Sequence, residues 1–131
     1  MTGLVIVAHA GLAAELINAA EMIVGKIEAS AYVEIKPDDS VDKIRTTLTS
    51  AIESVACENI IIMTDMFGGT PSNMSLSFLK ENKVEVLTGV NLPMIIKFAS
   101  DRNKFEVSAL AAQIRDTGRE GVAVAGDYLK R

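Results

Sequence analysis

The stretch NIIIMTDMFGGTPSN, residues 59–73, joins a short apolar run to a glycine pair and a helix start. Residues 59–64 are almost wholly apolar, which is typical of a central parallel strand that helices cover on both faces. Thr70 and Pro71 predict a helix with Thr70 as its cap, because a proline at the first helical position loses no hydrogen bond. This strand, loop and helix therefore predict an α/β domain built on a parallel sheet.

The same alternation extends along the rest of the chain, where short β-branched runs are followed by segments of helical period. The predicted strands are residues 4–8, 31–35, 59–64 and 84–88, with a short fifth strand at 122–125. The predicted helices are residues 12–24, 41–55, 70–79, 91–99 and 105–116, and glycines end the first at Gly25 and the last at Gly118. The apolar face of the first helix is predicted from its spacing as Leu12, Leu16, Ala19, Ala20 and Ile23. We predict an open, doubly wound, mainly parallel sheet with helices on both faces, in a single domain over residues 1–131.

The composition excludes several classes of partner. A net charge of −4 argues against nucleic acid, because phosphate backbones are bound by clustered lysines and arginines. The apolar run before His9 is too short to span a bilayer and has no positively charged start. Cys57 is the only cysteine and cannot form an internal disulfide, which is typical of a reducing compartment. We therefore predict a cytoplasmic protein that meets a membrane only through other proteins.

His9, the only histidine, follows the first predicted strand, and Asp65 follows the third. Functional groups of an open parallel sheet collect beyond the carboxyl ends of its strands, where the strand order reverses. If the order is 2-1-3-4, the first and third strands are neighbours and the two side chains face each other. A carboxylate on one ring nitrogen fixes the tautomer and leaves the other nitrogen free to attack. This placement favours a histidine nucleophile oriented by Asp65; a helix-capping or core histidine is the alternative.

Gly68 and Gly69 form a loop directly before the helix that starts at Thr70. Consecutive glycines allow successive N–H groups to turn the same way, and the positive end of a helix points to the same place. The loop therefore predicts an anion site, with a plain turn as the alternative. The chain has neither the Gly-Lys-Ser/Thr of a Walker loop nor a G-x-G-x-x-G after the first strand, so we expect no nucleotide and no other cofactor.

Met66 and Phe67 are apolar residues within this loop, where polar residues are the rule. Two interpretations stay open, which are inward packing and docking of a partner protein. The carboxylates of Asp38, Asp39 and Asp42 are interpreted as turn and helix-start charges rather than metal ligands. Cys57, beside Val55 on the second helix, is interpreted as a small core residue, so we predict no metal site and no cysteine nucleophile.

Four motifs resemble the enzyme IIA component of the mannose-type sugar phosphotransferase system, over essentially the whole chain. They are LVIVAHAGLAAEL at residues 4–16, TDMFGGTPSN at 64–73, TGVNLPM at 88–94 and DTGREGV at 116–122. The resemblance implies a sheet of order 2-1-3-4. It also implies a phosphoryl carrier that accepts its group from the histidine-containing phosphocarrier protein and passes it to an enzyme IIB component.

Carried over by position, the resemblance implies that His9 is phosphorylated and that Asp65 is its hydrogen-bonded partner. It places Gly68, Gly69 and Thr70 around the phosphoryl group. A phosphoryl group bonded to nitrogen keeps enough transfer potential to be passed onward. This would explain why the one histidine stands at the end of a strand.

The resemblance also implies a homodimer, because members of this family exchange a C-terminal strand and residues 122–125 are suited to that role. Since the sequence ends at Arg131, we expect the IIB acceptor on another polypeptide. Ala10 stands where some relatives have glycine, so the backbone next to His9 is the point at which this chain departs from the pattern.

Three other functions are compatible with the same residues. A regulatory module would use phosphorylation of His9 as a signal without transporting sugar. A phosphotransfer subunit of a dihydroxyacetone kinase shares the fold and the strand-end histidine, although FGGTPSN at residues 67–73 and GVNLPM at 89–94 resemble the mannose type more closely. A flavodoxin-like ligand-binding domain is the last alternative, and it would bind flavin.

Overall fold

Four parallel strands form one sheet in the order β2-β1-β3-β4, in a computed structural model that describes residues 1–66 and 68–129. The strands are β1 (Gly3–His9), β2 (Ser30–Ile35), β3 (Ile60–Thr64) and β4 (Val84–Leu87). The strand order reverses between β1 and β3, as in other open α/β sheets. The predicted order is confirmed, and the switch point lies where the site was expected.

Five helices and a short terminal turn cover the two faces. They are α1 (Leu12–Val24), α2 (Val41–Val55), α3 (Thr70–Leu76), α4 (Leu92–Asp101), α5 (Val107–Glu120) and a 3₁₀ helix (Ala125–Leu129). The helices α1, α4 and α5 cover one face of the sheet, and α2 and α3 cover the other. Ser40 and Asn91 cap α2 and α4 by accepting hydrogen bonds from Lys43 N at 3.0 Å and Met94 N at 3.2 Å.

The core divides into two clusters because successive strand residues point to opposite faces. On β1, Leu4 and Ile6 pack under α1, α4 and α5, whereas Val5 and Val7 pack under α2 and α3. Both sets are fully buried. His9 shares the alternation of Val5 and Val7, so the sheet directs it towards the face that α2 and α3 cover.

The predicted inner face of α1 is correct at Ala20, which is fully buried, and at Leu16, which packs half-buried against the core. It is wrong at Leu12 and Ile23, which are 44% and 60% exposed, whereas Ala13 and Ile17 are buried in their place. The helix has ten apolar residues, so spacing alone determines its inner face only broadly.

Gly118 does not end α5, contrary to prediction, but lies buried within it. A Cβ atom at this position would stand 2.6 Å from Met94 Cγ, so the glycine is needed for close packing of α5 against α4. Asn91 reinforces this contact, since its Nδ2 donates to Gly118 O at 2.9 Å. The helix α5 therefore continues to Glu120.

Two smaller corrections concern α3, which is shorter than the predicted 70–79. Gly69 rather than Thr70 occupies the N-cap position, so Pro71 lies at the second helical residue, where its missing N–H still costs nothing.

Cys57 lies after the end of α2 instead of on it, half-buried against the cluster beneath α2 and α3. Its thiol donates to Val55 O at 3.2 Å, which fits the packing role predicted for it.

The fifth strand is not formed within this chain. Residues 122–124 have no regular structure, and Ala125 begins the 3₁₀ helix. Val122 and Val124 are 76% and 70% exposed, which leaves apolar side chains in solvent. An exchanged strand pairs between two chains, so this part of the expectation remains a prediction. Across residues 1–66 and 68–129, no helix is long and apolar enough to cross a membrane.

Candidate functional site

His9 and Asp65 meet at the carboxyl edge of the sheet, as predicted. His9 is the last residue of β1, and Asp65 follows the last residue of the neighbouring β3. Asp65 Oδ2 lies 2.7 Å from His9 Nδ1 and accepts the His9 backbone N–H at 3.0 Å. One carboxylate oxygen therefore holds both the backbone and the ring of the histidine.

The two side chains differ in exposure, which determines the chemistry each can perform. The His9 side chain is 51% exposed, whereas that of Asp65 is 14% exposed. Partial burial raises the pKa of the Asp65 carboxyl, but the hydrogen bonds from the His9 backbone and ring outweigh it and hold the pKa below 3.8. Asp65 is therefore ionised at neutral pH and accepts a hydrogen bond from the Nδ1–H group of His9. The Nε2 lone pair is then free for a nucleophilic attack.

Ala10 turns the chain from β1 into α1 with a backbone that is rare for alanine. Its φ is +52°, in the left-handed region, and its N–H donates to Ile35 O at 2.8 Å. Such a conformation costs about 1 kcal/mol for a residue with a Cβ. The position where the sequence departs from the family pattern is therefore strained, yet the contact between His9 and Asp65 is kept.

The glycine loop approaches the imidazole from the other side. A Cβ atom added at Gly69 would lie 3.5 Å from His9 Cε1, so this glycine stands next to the ring. Gly68 has φ +83° and requires glycine at that turn. Thr70 lines the same cavity as His9. All three residues predicted to surround a phosphoryl group therefore belong to the segment that lies against the ring.

Of the two predicted docking residues, the structure describes Met66. Met66 is 55% exposed beside the site, so the inward-packing interpretation does not hold for it. Its N–H donates to Asp65 Oδ1 at 3.0 Å, which ties the loop to the carboxylate that contacts His9. Phe67 lies outside the described residues. The exposed Met66 side chain is available to a protein that reaches His9.

The acidic residues after β2 do not join the site as ligands. Asp39 makes a salt bridge with Lys43 at 3.0 Å, and the backbone N–H of Lys36 and the Lys43 ammonium lower the pKa of its carboxyl. Among the described residues, no group of three or more histidine, cysteine or acidic side chains could hold a metal ion.

Lys36 lies beside the candidate site, although the sequence patterns did not single it out. It lines the cavity beside His9. Its neighbour Ile35 is the β2 partner of His9 in the parallel register. A signal was present, because strands β1 and β2 end at the same edge of the sheet and place the next residues together.

The family model described as the PTS system fructose IIA component, EIIA-man, matches residues 3–115. The chain belongs to the EIIA-man family. It is 31% identical to the sorbose-specific EIIA component of Lacticaseibacillus casei, over 85% of this chain and 81% of that protein. Membership implies a component of a sugar phosphotransferase system, and so a part in phosphoryl transfer during sugar uptake.

Two further comparisons place this EIIA-man family member among longer and similar-sized proteins. It is 26% identical to the mannose-specific EIIAB component of Escherichia coli over 91% of this chain, but spans only 38% of that protein. The crystal structure of the phosphotransferase system component EIIA from Streptococcus agalactiae superimposes with a TM-score of 0.88 at 26% identity, covering 97% of this chain and 99% of that one. The predicted family and α/β fold are confirmed.

Proposed function

We propose that His9 carries a phosphoryl group on Nε2 between two proteins. The donor is the histidine-containing phosphocarrier protein, and the acceptor is an enzyme IIB component that phosphorylates the incoming sugar. The observation that carries this proposal is the contact of 2.7 Å between His9 Nδ1 and Asp65 Oδ2 on a ring that is half exposed. It leaves Nε2 as the free nucleophile at the switch point of the sheet.

In the proposed reaction, the Nε2 lone pair of His9 forms a bond to phosphorus while the P–N bond to the donor's histidine breaks. The electrons of that bond return to the donor's ring. The His9 ring gains positive charge as the new bond forms, and the adjacent Asp65 carboxylate stabilises it. Transfer to the acceptor reverses these steps, so no net proton or oxidant is needed.

The loop residues have the remaining proposed roles. Gly68, Gly69 and Thr70 surround the phosphoryl oxygens, which is supported by the close approach of Gly69 to the His9 ring. Met66 belongs to the docking surface that donor and acceptor share, which is supported by its exposure of 55% beside the site. Phe67 is assigned to the same surface on the sequence alone.

The experiment that tests this function is phosphorylation by phosphoenolpyruvate, enzyme I and the phosphocarrier. We expect one phosphoryl group per chain, labile to acid and stable to base as a phosphoramidate is. His9→Ala should abolish labelling while far-ultraviolet circular dichroism stays unchanged, because the ring is half exposed. Acid-stable label, or label on the His9→Ala variant, would exclude the mechanism and direct attention to Asp65 or Thr70 as acceptors.

A further inference from the structure

A cavity of about 390 Å³ opens beside His9 on the side of the sheet that α2 covers. It is lined by His9, Ala10 and Thr70 on one side and by Ile35, Lys36, Pro37, Asp39, Val41 and Ile44 on the other. Most of these side chains are apolar. A charge placed in such a space is less well screened than in bulk water, so it interacts more strongly with other charges nearby.

Lys36 is held at this cavity by the strand register. Ile35 is paired with His9 across β1 and β2, and Ala10 N donates to Ile35 O at 2.8 Å. Neighbouring strands lie ~4.8 Å apart, so Ile35 stands beside His9, and Lys36 is the next residue of the chain after Ile35. A lysine side chain is long enough to place its ammonium next to a group bonded to the His9 ring.

The cavity beside His9 contains negative charges, and Lys36 is the lysine that lines it. Asp65 contributes one negative charge next to His9, and a phosphoryl group adds about 1.5 to 2 more. The carboxylate of Asp39 makes its salt bridge with Lys43, whose Nζ lies 3.0 Å from Oδ1, and the charge of Lys36 acts on it less strongly than that of Lys43. Among the described residues that line the cavity, Lys36 is the only lysine or arginine. Its ammonium is thus the cation available to a phosphoryl group on His9.

We propose that Lys36 binds the phosphoryl group on His9 and stabilises the phosphorylated form of the protein. The inference rests on the proposed function, because it requires that His9 be phosphorylated. The covalent step is the one already described, and Lys36 forms no bond and transfers no proton. It donates hydrogen bonds from its ammonium to phosphoryl oxygens, which lowers the free energy of the phosphorylated state relative to the free protein.

A residue that stabilises the product differs measurably from one that only helps the donor to dock. Docking contacts accelerate transfer in both directions equally and leave the equilibrium between the two phosphoproteins unchanged. A cation on the phosphoryl group shifts that equilibrium. The side chain is exposed, so the interaction is screened and we expect a shift of about threefold to tenfold.

The experiment measures the equilibrium ratio of phosphorylated protein to phosphorylated phosphocarrier, with ³²P-labelled phosphocarrier as the donor. Lys36→Met removes the charge and keeps the length of the chain, and Lys36→Arg restores the charge. Lys83→Met is the matched control, because Lys83 is a lysine that is paired with Glu58 at 3.1 Å, and neither residue lines the cavity. Circular dichroism and urea unfolding establish that all three variants fold.

We expect Lys36→Met to lower the phosphorylated fraction of the EIIA-man chain at equilibrium, and Lys36→Arg and Lys83→Met to stay within about twofold of wild type. The loss should diminish as salt is raised, because screening weakens the interaction in the wild type. An unchanged equilibrium in Lys36→Met would overturn the proposal, and altered rates with it would reduce Lys36 to a docking residue. An equal shift in Lys83→Met would show a general charge effect and overturn the proposal. A wild-type chain that takes no label would instead overturn the proposed function itself.

Discussion

Asp65→Asn is the substitution that most directly tests how the site is built. The carboxylate accepts three hydrogen bonds, from the His9 backbone at 3.0 Å and ring at 2.7 Å on Oδ2 and from the Met66 backbone at 3.0 Å on Oδ1. An asparagine has only one oxygen. Placed at the Oδ2 position, that oxygen keeps both bonds to His9 but turns the amide NH₂ towards the Met66 N–H, so two donors face each other.

The magnitude follows from these contacts. The bond to Met66 is lost, which costs about 1 kcal/mol, and the two bonds to His9 lose the strength that an ionised acceptor gives. Because the His9 side chain is 51% exposed, solvent offsets part of this loss. We expect the free energy of unfolding to fall by about 1–3 kcal/mol at neutral pH. Phosphoryl transfer should slow about 10²-fold to 10⁴-fold, since the neutral amide no longer stabilises charge on the ring.

The stability difference between wild type and Asp65→Asn should depend on pH in one direction. The folded protein holds the pKa of the Asp65 carboxyl below its ordinary 3.8, because the hydrogen bonds from His9 outweigh the effect of partial burial. The unfolded chain therefore takes up the proton first as the pH falls. The contribution of the carboxylate is present in full above pH 3.8 and is lost as the pH falls through the folded pKa.

Two assays measure these effects. Rapid-quench transfer from ³²P-labelled phosphocarrier gives the rate, and urea unfolding between pH 7 and pH 3 gives the stability. Asp116→Asn is the matched control, because its side chain is 56% exposed and makes a salt bridge with its neighbour Arg115 at 3.0 Å. Transfer at the wild-type rate, or a stability loss that stays the same down to pH 3, would refute this account of Asp65.

Three other predictions concern the backbone, the core and the assembly. Ala10→Gly should raise the free energy of unfolding, measured in urea, by up to about 1 kcal/mol, because glycine adopts a positive φ without strain. Ala29→Gly should have the same effect, since Ala29 also has a φ of about +50°. Equal or lower stability in both variants would contradict the claim that these alanines are strained. Gly118→Ala should lower the free energy of unfolding by about 1–3 kcal/mol in the same assay, since the new Cβ would lie 2.6 Å from Met94 Cγ. Gly126→Ala is the control and should leave stability unchanged, because a Cβ at Gly126 meets nothing within 4 Å. Light scattering should show a homodimer at micromolar concentration, because an exchanged strand would bury the exposed Val122 and Val124. Removal of residues 121–131 should convert the dimer to a monomer. A monomeric chain of residues 1–131 would contradict this prediction.

The part of the site that could be predicted is the part that strand periodicity and topology determine. Because parallel strands end at one edge, the residues at the ends of β1 and β3 had to meet once the strand order was known, and His9 and Asp65 do so. Helix orientation was harder to predict. In α1, Glu15, Asn18 and Glu21 mark the outer side only broadly, so the choice between Leu12 and Ala13 depended on packing.

Glycine near a helix end has two physical meanings that look alike in one sequence. Gly25 has φ +86° and ends α1, as predicted. Gly118 has ordinary helical geometry and is required by its neighbour Met94 instead. Only the three-dimensional contact separates these cases. For the same reason, Lys36 could be placed in a turn from the sequence, but its position at the cavity beside His9 depended on the register of β2.

A phosphoryl carrier needs a nucleophile that is exposed to two partners and yet held in one orientation. In this chain, the strand ends supply both properties. Exposure comes from the position of His9 beyond the last buried residue of β1, and orientation comes from Asp65 on the adjacent β3. Because one oxygen of Asp65 binds both the backbone and the ring of His9, a shift of the ring relative to its strand breaks one of two hydrogen bonds. Under the proposed function, these two hydrogen bonds would present Nε2 to donor and acceptor in the same direction.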